Sequence, residues 1–407
     1  MIYTDPTSWF DLLPTETIIL IFTLASRCTE VRSLQSNDAF PSAALRVSRQ
    51  WRNIAQATPS IWTNPIITAY ESAGQRLKEH LQYCPPNQPT HLDILVPPLS
   101  GMTHDEHMVD NLFDAIRFSQ NTQCLRSIRL VASEGASTVS IVYIHEAFSR
   151  AWGRTLEGLE MVGCDVLTEP GQTTKEILPF KSGLEWYSQI RFLSLENIST
   201  GGLGMSKIRA RRYCLTDLEE LYLKKVNSTA LIFTCYYSMP KLRILAIDCS
   251  SGSSTTSTIQ LYNGGSAVYR TQYIHARYII LYNIPSGIDI RKILEQALRA
   301  QYLALTFDDS HDFEVNILPT LMALSSRQLH SLSFRSRYPS LKLIKRIVES
   351  RLPRLLTIEL DGSAILDADN EDLRWLRANA RLELRSEGEL EFSQVLGRLT
   401  GRRPQGA

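Results

Sequence analysis

The sequence predicts a chain of mixed α+β and α/β class: a small helical module at the amino end, then an irregular α/β solenoid built on a curved parallel sheet. Three observations predict it. The first sixty or so residues hold two helical blocks closed by a Pro and a Trp. From about residue 92 onward a short strand-like segment recurs, of the form apolar-x-x-apolar-x-apolar. Helical patterns precede several of these segments, and that alternation favours parallel pairing. The expected organisation is a helical module over 1–66, a linking helix and turn over 67–90, the solenoid over 91–390, and a disordered tail over 391–407.

The module opens at Leu13-Pro14-Thr15-Glu16. Pro14 suits the first helical position, where its missing N–H would have no partner anyway. Glu16 in the first turn complements the positive end of the helix dipole. Ile18, Ile19, Ile21, Phe22 and Leu24 then cover much of the helix circumference, so the helix must bury more than one side. A bundle of about fifty residues has little core to offer, and part of this surface is expected to be covered by a partner or by the next domain. Leu45 to Ala55 follows as an amphipathic helix. Arg46, Arg49 and Arg52 form its basic face, and Leu45, Val47, Trp51, Ile54 and Ala55 its apolar positions. Thr58-Pro59 breaks it, and Trp62 is placed to fold back as an apolar anchor.

In order, Leu13, Pro14, Glu16, Ile18, Ile21, Phe22, then Val47, Arg49, Trp51, Arg52, Ile54, Ala55, Pro59, Ile61 and Trp62 resemble the F-box of fungal-type F-box proteins. The match spans about an eighth of the chain. It departs from the pattern at Thr17, where an apolar residue is usual, and in a long Ser-, Asn- and Asp-rich loop from about Ala25 to Ala43. The resemblance implies a non-catalytic, substrate-recognition subunit of a Skp–cullin–F-box (SCF) ubiquitin ligase. It also implies a Skp-type adaptor as partner, cullin through it, and Leu13, Pro14, Glu16, Ile18, Ile21, Val47 and Trp51 as adaptor-binding residues. The alternative is an interaction scaffold whose N-terminal helices only cap the array that follows.

Beyond the module, Glu71 to Cys84 reads as a helix with Leu77, Leu81 and Cys84 on one face, ended by Pro85-Pro86-Asn87. The recurring segment begins at Leu92/Ile94. It continues at Leu125/Ile128/Leu130, Leu156/Leu159/Met161, Ile190/Leu193/Leu195, Leu218/Leu221/Leu223, Leu242/Leu245/Ile247 and Ala276/Ile279/Leu281. Leu303/Leu305, Leu329/Leu332/Phe334, Leu355/Ile358/Leu360 and Asn379/Leu382/Leu384 complete it. One such unit cannot bury its own apolar face, so units stack. The spacing of roughly 24 to 34 residues overlaps that of leucine-rich repeats, with insertions. Asn197 and Asn283 fall where such a repeat often has a turn Asn, and Cys164 and Cys249 take the same slot. The region resembles the irregular leucine-rich arrays that follow F-boxes; a parallel α/β protein without true periodicity is the alternative. Helices are expected at Asp110 to Phe118, Ile288 to Arg299 and Leu341 to Arg351. Polar loops are expected at 168–174, 201–204 and 250–257.

In a strand reading apolar-x-apolar, the middle residue points away from the core, and positions two residues either side share its face. That places Phe192, Tyr222, Ile244, Tyr278, Ile280, Tyr282 and Tyr302 on one face of neighbouring strands, a candidate substrate-binding surface for an unidentified protein target. A covering segment, or a one-residue slip in register, would bury them instead.

Other classes find little support. A net charge of +1 supplies no field to draw nucleic acid or an anionic membrane. No segment approaches the roughly 18 uninterrupted apolar residues of a membrane span. Met1-Ile2-Tyr3-Thr4-Asp5-Pro6 lacks the basic start and apolar run of a secretory signal, so a cytoplasmic or nuclear location is expected. The seven cysteines are scattered without a Cys-x-x-Cys pair, which suits core filling in a reducing compartment. His104 and His107, the closest histidine pair, lack further ligands at metal-site spacing. No nucleophile elbow, phosphate loop or zinc-protease motif is present, and no cofactor is expected.

Overall fold

A computed structural model describes residues 13–27, 43–68, 73–84, 88–96, 125–132, 156–163, 189–197, 213–226, 237–249, 275–283, 294, 299–306, 329–335, 341–349, 357–361, 371–386 and 391–400. The chain divides into two compact units, one of residues 1–173 and 178–186, the other of 174–177 and 187–407.

The first unit opens with helices α1 (Thr15–Arg27), α2 (Ala44–Val47) and α3 (Arg49–Ala57), then a 3-10 turn over Pro59–Trp62. Thr17 and Ile18 donate to the Pro14 carbonyl at 2.9 and 3.1 Å, so Pro14 stands just before the first helical residue, one place ahead of the position expected for it. Ser48 stands between α2 and α3 in an extended conformation, and its hydroxyl accepts from the Trp51 N–H at 3.1 Å, an N-cap. Helix α3 ends as expected at Thr58, whose hydroxyl donates back to the Ile54 carbonyl at 2.7 Å. Strand β1 (Ile66–Thr68), helix α4 (Ala73–Leu81) and strands β2 (Thr90–Val96), β3 (Leu125–Ala132) and β4 (Gly158–Val162) follow. The strands pair in chain order, all parallel.

Among its described residues the second unit holds an open parallel sheet of eight strands, with helices between or beyond them. In order these are β5 (Phe192–Glu196), β7 (Glu220–Lys224), β9 (Ile244–Asp248), β10 (Tyr278–Tyr282), β11 (Tyr302–Thr306), β12 (Ser331–Arg335), β13 (Thr357–Asp361) and β14 (Arg381–Arg385). Strands β6 (Tyr213–Cys214) and β8 (Tyr237–Ser238) form a separate two-stranded parallel sheet. Helices α5 (Leu341–Glu349), α6 (Glu371–Asn379) and α7 (Phe392–Thr400) are the described helices of this unit.

The register explains the recurring sequence segment. Leu193, Leu221, Leu245, Ile279, Leu303, Leu332, Ile358 and Leu382 stand opposite one another from β5 to β14. Two residues on, Leu195, Leu223, Ile247, Leu281, Leu305, Phe334, Leu360 and Leu384 form a second row. Stacked leucines let each strand bury its neighbour's apolar side chain, which fixes the register. Strands β9 and β11 are buried at all five positions, as expected of parallel strands covered on both faces.

Strands β4, β5, β7 and β10 end in a sharp turn, made by Gly163, Asn197, Lys225 and Asn283 with φ of 66°, 50°, 48° and 50°. Asn and Gly tolerate this left-handed region; Lys does so at a cost. Asn283 Nδ2 also donates to the Asp248 carboxylate at 2.8 Å. Cys249 is buried and burial, then Asp248, pushes its thiol up to about 12, which suits a core role. Cys164 lies outside the described residues, as do the helix expected at Asp110 to Phe118, most of that at Ile288 to Arg299, and the loops at 168–174, 201–204 and 250–257. The helix expected over Leu341 to Arg351 is α5, and α4 spans most of Glu71 to Cys84.

One expectation needs correcting at the carboxyl end. The sequence predicts disorder over 391–407, yet 392–400 form α7. Phe392, Val395, Leu396 and Leu399 recur at the three- and four-residue spacing of one helix face, and that face has a sheet to pack on.

Candidate functional site

Helix α1 sorts its apolar side chains onto two faces. Ile18 and Phe22 are fully buried, and α1 packs on α3 and on the 3-10 turn. Phe22 meets Trp51 edge-on, ring centroids 5.1 Å apart. On the other side Leu20, Ile21 and Leu24 remain 57, 38 and 55% exposed, and Val47 at the end of α2 is 59% exposed. The cause is helix geometry: positions 18 and 22 share one side, 20 and 24 fall roughly opposite, and 21 sits on the flank between them. The small core is already filled by Ile18, Phe22, Ile54, Ala55, Ile61 and Trp62. Further aliphatic side chains have nowhere inside to go.

The expected adaptor-binding residues therefore separate. Pro14, Glu16, Ile21 and Val47 are exposed and Leu13 is partly so. Trp51 is half-buried against Phe22. Ile18 is a core residue, not a surface one, because its side of α1 faces the bundle. Sequence reasoning misses Leu20 and Leu24 as site residues, although helical phase sets the two together on the side away from Ile18 and Phe22. The basic face stands outward as expected, with Arg46, Arg49 and Arg52 exposed.

Trp62 ties the bundle to the chain that follows. Its indole N–H donates to the Ala55 carbonyl at 2.8 Å, and its ring packs on His80 and Tyr83 at centroid distances of 4.9 and 4.6 Å. The Trp62 carbonyl accepts from His80 Nε2 at 3.0 Å and from the Cys84 thiol at 2.8 Å. A carbonyl only accepts, so Nε2 carries the hydrogen. Burial, partly countered by this bond, lowers the His80 pKa to about 4 and keeps the ring neutral.

The predicted substrate surface meets a different fate. Its register is as expected: Tyr222, Ala246, Ile280 and Ala304 share one row, and Tyr278 stands between Ile244 and Tyr302 in the next. Its exposure is not. Tyr222, Ile244, Ile280, Tyr282 and Tyr302 are 2, 2, 0, 2 and 8% exposed, and Phe192 and Tyr278 pack partly buried against them. The cover is α7, whose Phe392 and Val395 are buried in the same cluster, with Leu396 and Leu399 packed alongside. Phe392 meets Tyr282 edge-on at 5.6 Å.

At the far end of this face Glu359, only 6% exposed, gathers polar partners. Arg398 of α7 reaches it with both terminal nitrogens, Nη1 to Oε1 at 3.1 Å and Nη2 to Oε2 at 3.2 Å. Arg385 Nη2 adds a bond to Oε1 at 3.2 Å and the Tyr302 hydroxyl one to Oε2 at 3.1 Å. Burial by itself would raise the Glu359 pKa. The bonds and charge of Arg398, with Arg385 and Tyr302, outweigh it and hold the carboxyl below its usual value. Burial, and then the Glu359 charge, push the Tyr302 hydroxyl up.

No group of His, Cys, Asp and Glu among the described residues is arranged to hold a metal ion. Among those residues no helix is long and apolar enough to cross a membrane. No protein-family model matches the chain and no curated protein matches it in sequence.

Proposed function

We propose that the chain is a substrate-recognition subunit of an SCF-type ubiquitin ligase, with residues 13–62 docking on a Skp-type adaptor and, through it, cullin. In this reading residues 91–390 form an irregular leucine-rich-repeat solenoid that holds a protein target, in the cytoplasm, the nucleus or both. The observation that carries the reading is the outward set Leu20, Ile21, Leu24 and Val47 on a bundle whose core is already full. These side chains are about half exposed, so burying the remainder of each in a partner would contribute roughly 1 kcal/mol. The chain's contribution to chemistry would be proximity, a raised local concentration of target beside a ubiquitin-loaded enzyme.

Co-expression with a Skp-type adaptor tests this. Wild-type chain should co-purify with the adaptor, and Leu20→Ser with Leu24→Ser should reduce recovery at least tenfold while leaving the folded core unchanged. Equal recovery of the double variant, or none of the wild type, would exclude adaptor docking through α1.

A second reading has its own observation. The bonds from His80 and Cys84 to the Trp62 carbonyl fasten the bundle to α4 and to the turn that follows it, as a cap on an interaction scaffold would require. Normal target binding by a chain with no affinity for the adaptor would select it.

A further inference from the structure

The face that α7 covers has the chemistry of a receptor for a helix. Its floor is apolar and aromatic, supplied by Tyr222, Ile244, Ile280 and Tyr282. One end carries a buried carboxylate, Glu359, framed by Arg385 and the Tyr302 hydroxyl. Helix α7 meets both features. Its apolar residues at positions i, i+3, i+4 and i+7 lie on the floor, and its arginine at i+6 takes the carboxylate with two bonds.

Helix α7 is nonetheless a weak occupant by its own composition. It is nine residues long, short of what stands alone in water. Gly397 lies inside it and lowers its helix stability relative to Ala. The floor is also imperfectly satisfied. Ser194, on the same face beside Tyr222, is 1% exposed, and its hydroxyl has no hydrogen-bond partner. A longer helix with a polar side chain at that end would supply one.

We propose that this face is a binding site for an arginine-bearing amphipathic helix of a target protein, and that α7 is a built-in surrogate which the target displaces. Target motifs would carry apolar residues at i, i+3, i+4 and i+7 and arginine at i+6, read by Glu359. Within the ligase reading this names the class of target, but it does not require adaptor docking and stands or falls separately.

The test uses the full-length chain and, as probe, a fluorescein-labelled synthetic peptide of residues 388–403. A triple variant, Phe392→Ala, Val395→Ala and Arg398→Ala, weakens the resident helix without touching the floor. Hydrogen exchange should show residues 392–400 losing protection while β9 to β12 keep theirs, which verifies that the sheet is intact. The triple variant should then bind the peptide saturably, at least tenfold more tightly than the wild type does. A peptide with glutamate in place of the arginine should bind the variant at least tenfold more weakly. Three results would overturn the proposal. One is an intact, uncovered sheet that takes no peptide. Another is equal binding of the arginine and glutamate peptides. The last is a wild-type dimer that dissociates on adding peptide, since the occupant would then be α7 of a second copy. Adaptor co-purification should be the same for wild type and variant throughout, so its loss or retention reports on the N-terminal module alone.

Discussion

Arg398 and Glu359 lie 39 residues apart in sequence and face each other fork to fork, with nitrogen–oxygen distances of 3.1 and 3.2 Å. Paired bonds of this kind fix orientation as well as supply energy. Here they tie the last turn of α7 to β13.

Arg398→Ala should therefore loosen α7 more than the rest of the unit. A hydrogen bond to a charged group is worth about 1.5–3 kcal/mol. The Arg398 side chain is 36% exposed, so the lower end applies. Hydrogen exchange at residues 392–400 should accelerate roughly tenfold, with little change in β9 and β10. Uniform acceleration across the unit would show that α7 does not open on its own.

Acid should act on the same contact. Glu359 titrates below its ordinary 4.5 in the folded chain, so the native state holds fewer protons than the unfolded one near that pH. Its contribution is complete above about pH 4.5 and is lost as pH falls through the folded value. Near-ultraviolet circular dichroism of the tyrosine face should be flat from about pH 8 to 5 and change below about 4.5. In Glu359→Gln that step should vanish.

In the first unit the buried imidazole predicts loss of stability at a higher pH. His80 titrates near 4 when folded against 6.5 ordinarily. The unfolded chain therefore takes up the proton first, and stability falls as pH drops from about 6.5 toward 4. The full shift corresponds to roughly 3 kcal/mol. His80→Gln, which keeps an N–H donor for the Trp62 carbonyl, should flatten this part of the curve. An unchanged pH profile would show that the ring is not the titrating group.

Asp93 predicts the opposite sign. It stands across β3 from Glu160 with Arg129 between them, at 4.0 Å from Asp93 and 3.6 Å from Glu160. Burial raises its pKa to about 6; Arg129 opposes the rise and Glu160 adds to it. A charged Asp93 thus costs stability above about pH 6, and Asp93→Asn should stabilise the first unit at about pH 8 by roughly 1–3 kcal/mol. Destabilisation at that pH would mean that the pair with Arg129 outweighs burial.

Lys225 offers a test of backbone strain. With φ of 48° it holds a left-handed turn that Asn197 and Asn283 make with a better-suited residue. Its Nζ lies 3.5 Å from Glu196 but the side chain is 59% exposed, so that pair is worth little. Lys225→Gly should raise stability by about 0.5–1 kcal/mol. A fall would indicate that the ion pair matters more than the turn.

The leucine rows are legible because a parallel strand pins its neighbour's register through side chains that recur in sequence. Leu193, Leu221 and Leu245 announce themselves one strand at a time. The outward positions of Tyr222, Tyr278 and Tyr302 follow from the same alternation. What lies over them does not, because cover is a long-range property: Phe392 is more than a hundred residues from Tyr282. The spacing of Phe392, Val395, Leu396 and Leu399 is visible, but Gly397 and the Arg402-Arg403-Pro404 end make the stretch read as a tail. In α1 the apolar run hides its own division. Ile18 and Leu20 look alike in sequence, and only helical phase separates the one that fills the bundle from the one left in water.

Because the covering helix follows β14 in the chain, it leaves the ribosome after every strand it shelters. Until it does, Ile244 to Ile247 and Tyr278 to Tyr282 lie bare along one flank, and such stretches associate readily with strands of other molecules. A premature stop after β14 would leave them bare for good. Its expected phenotype is a lower yield of soluble product than the triple variant gives, because that variant keeps the tethered segment near the face.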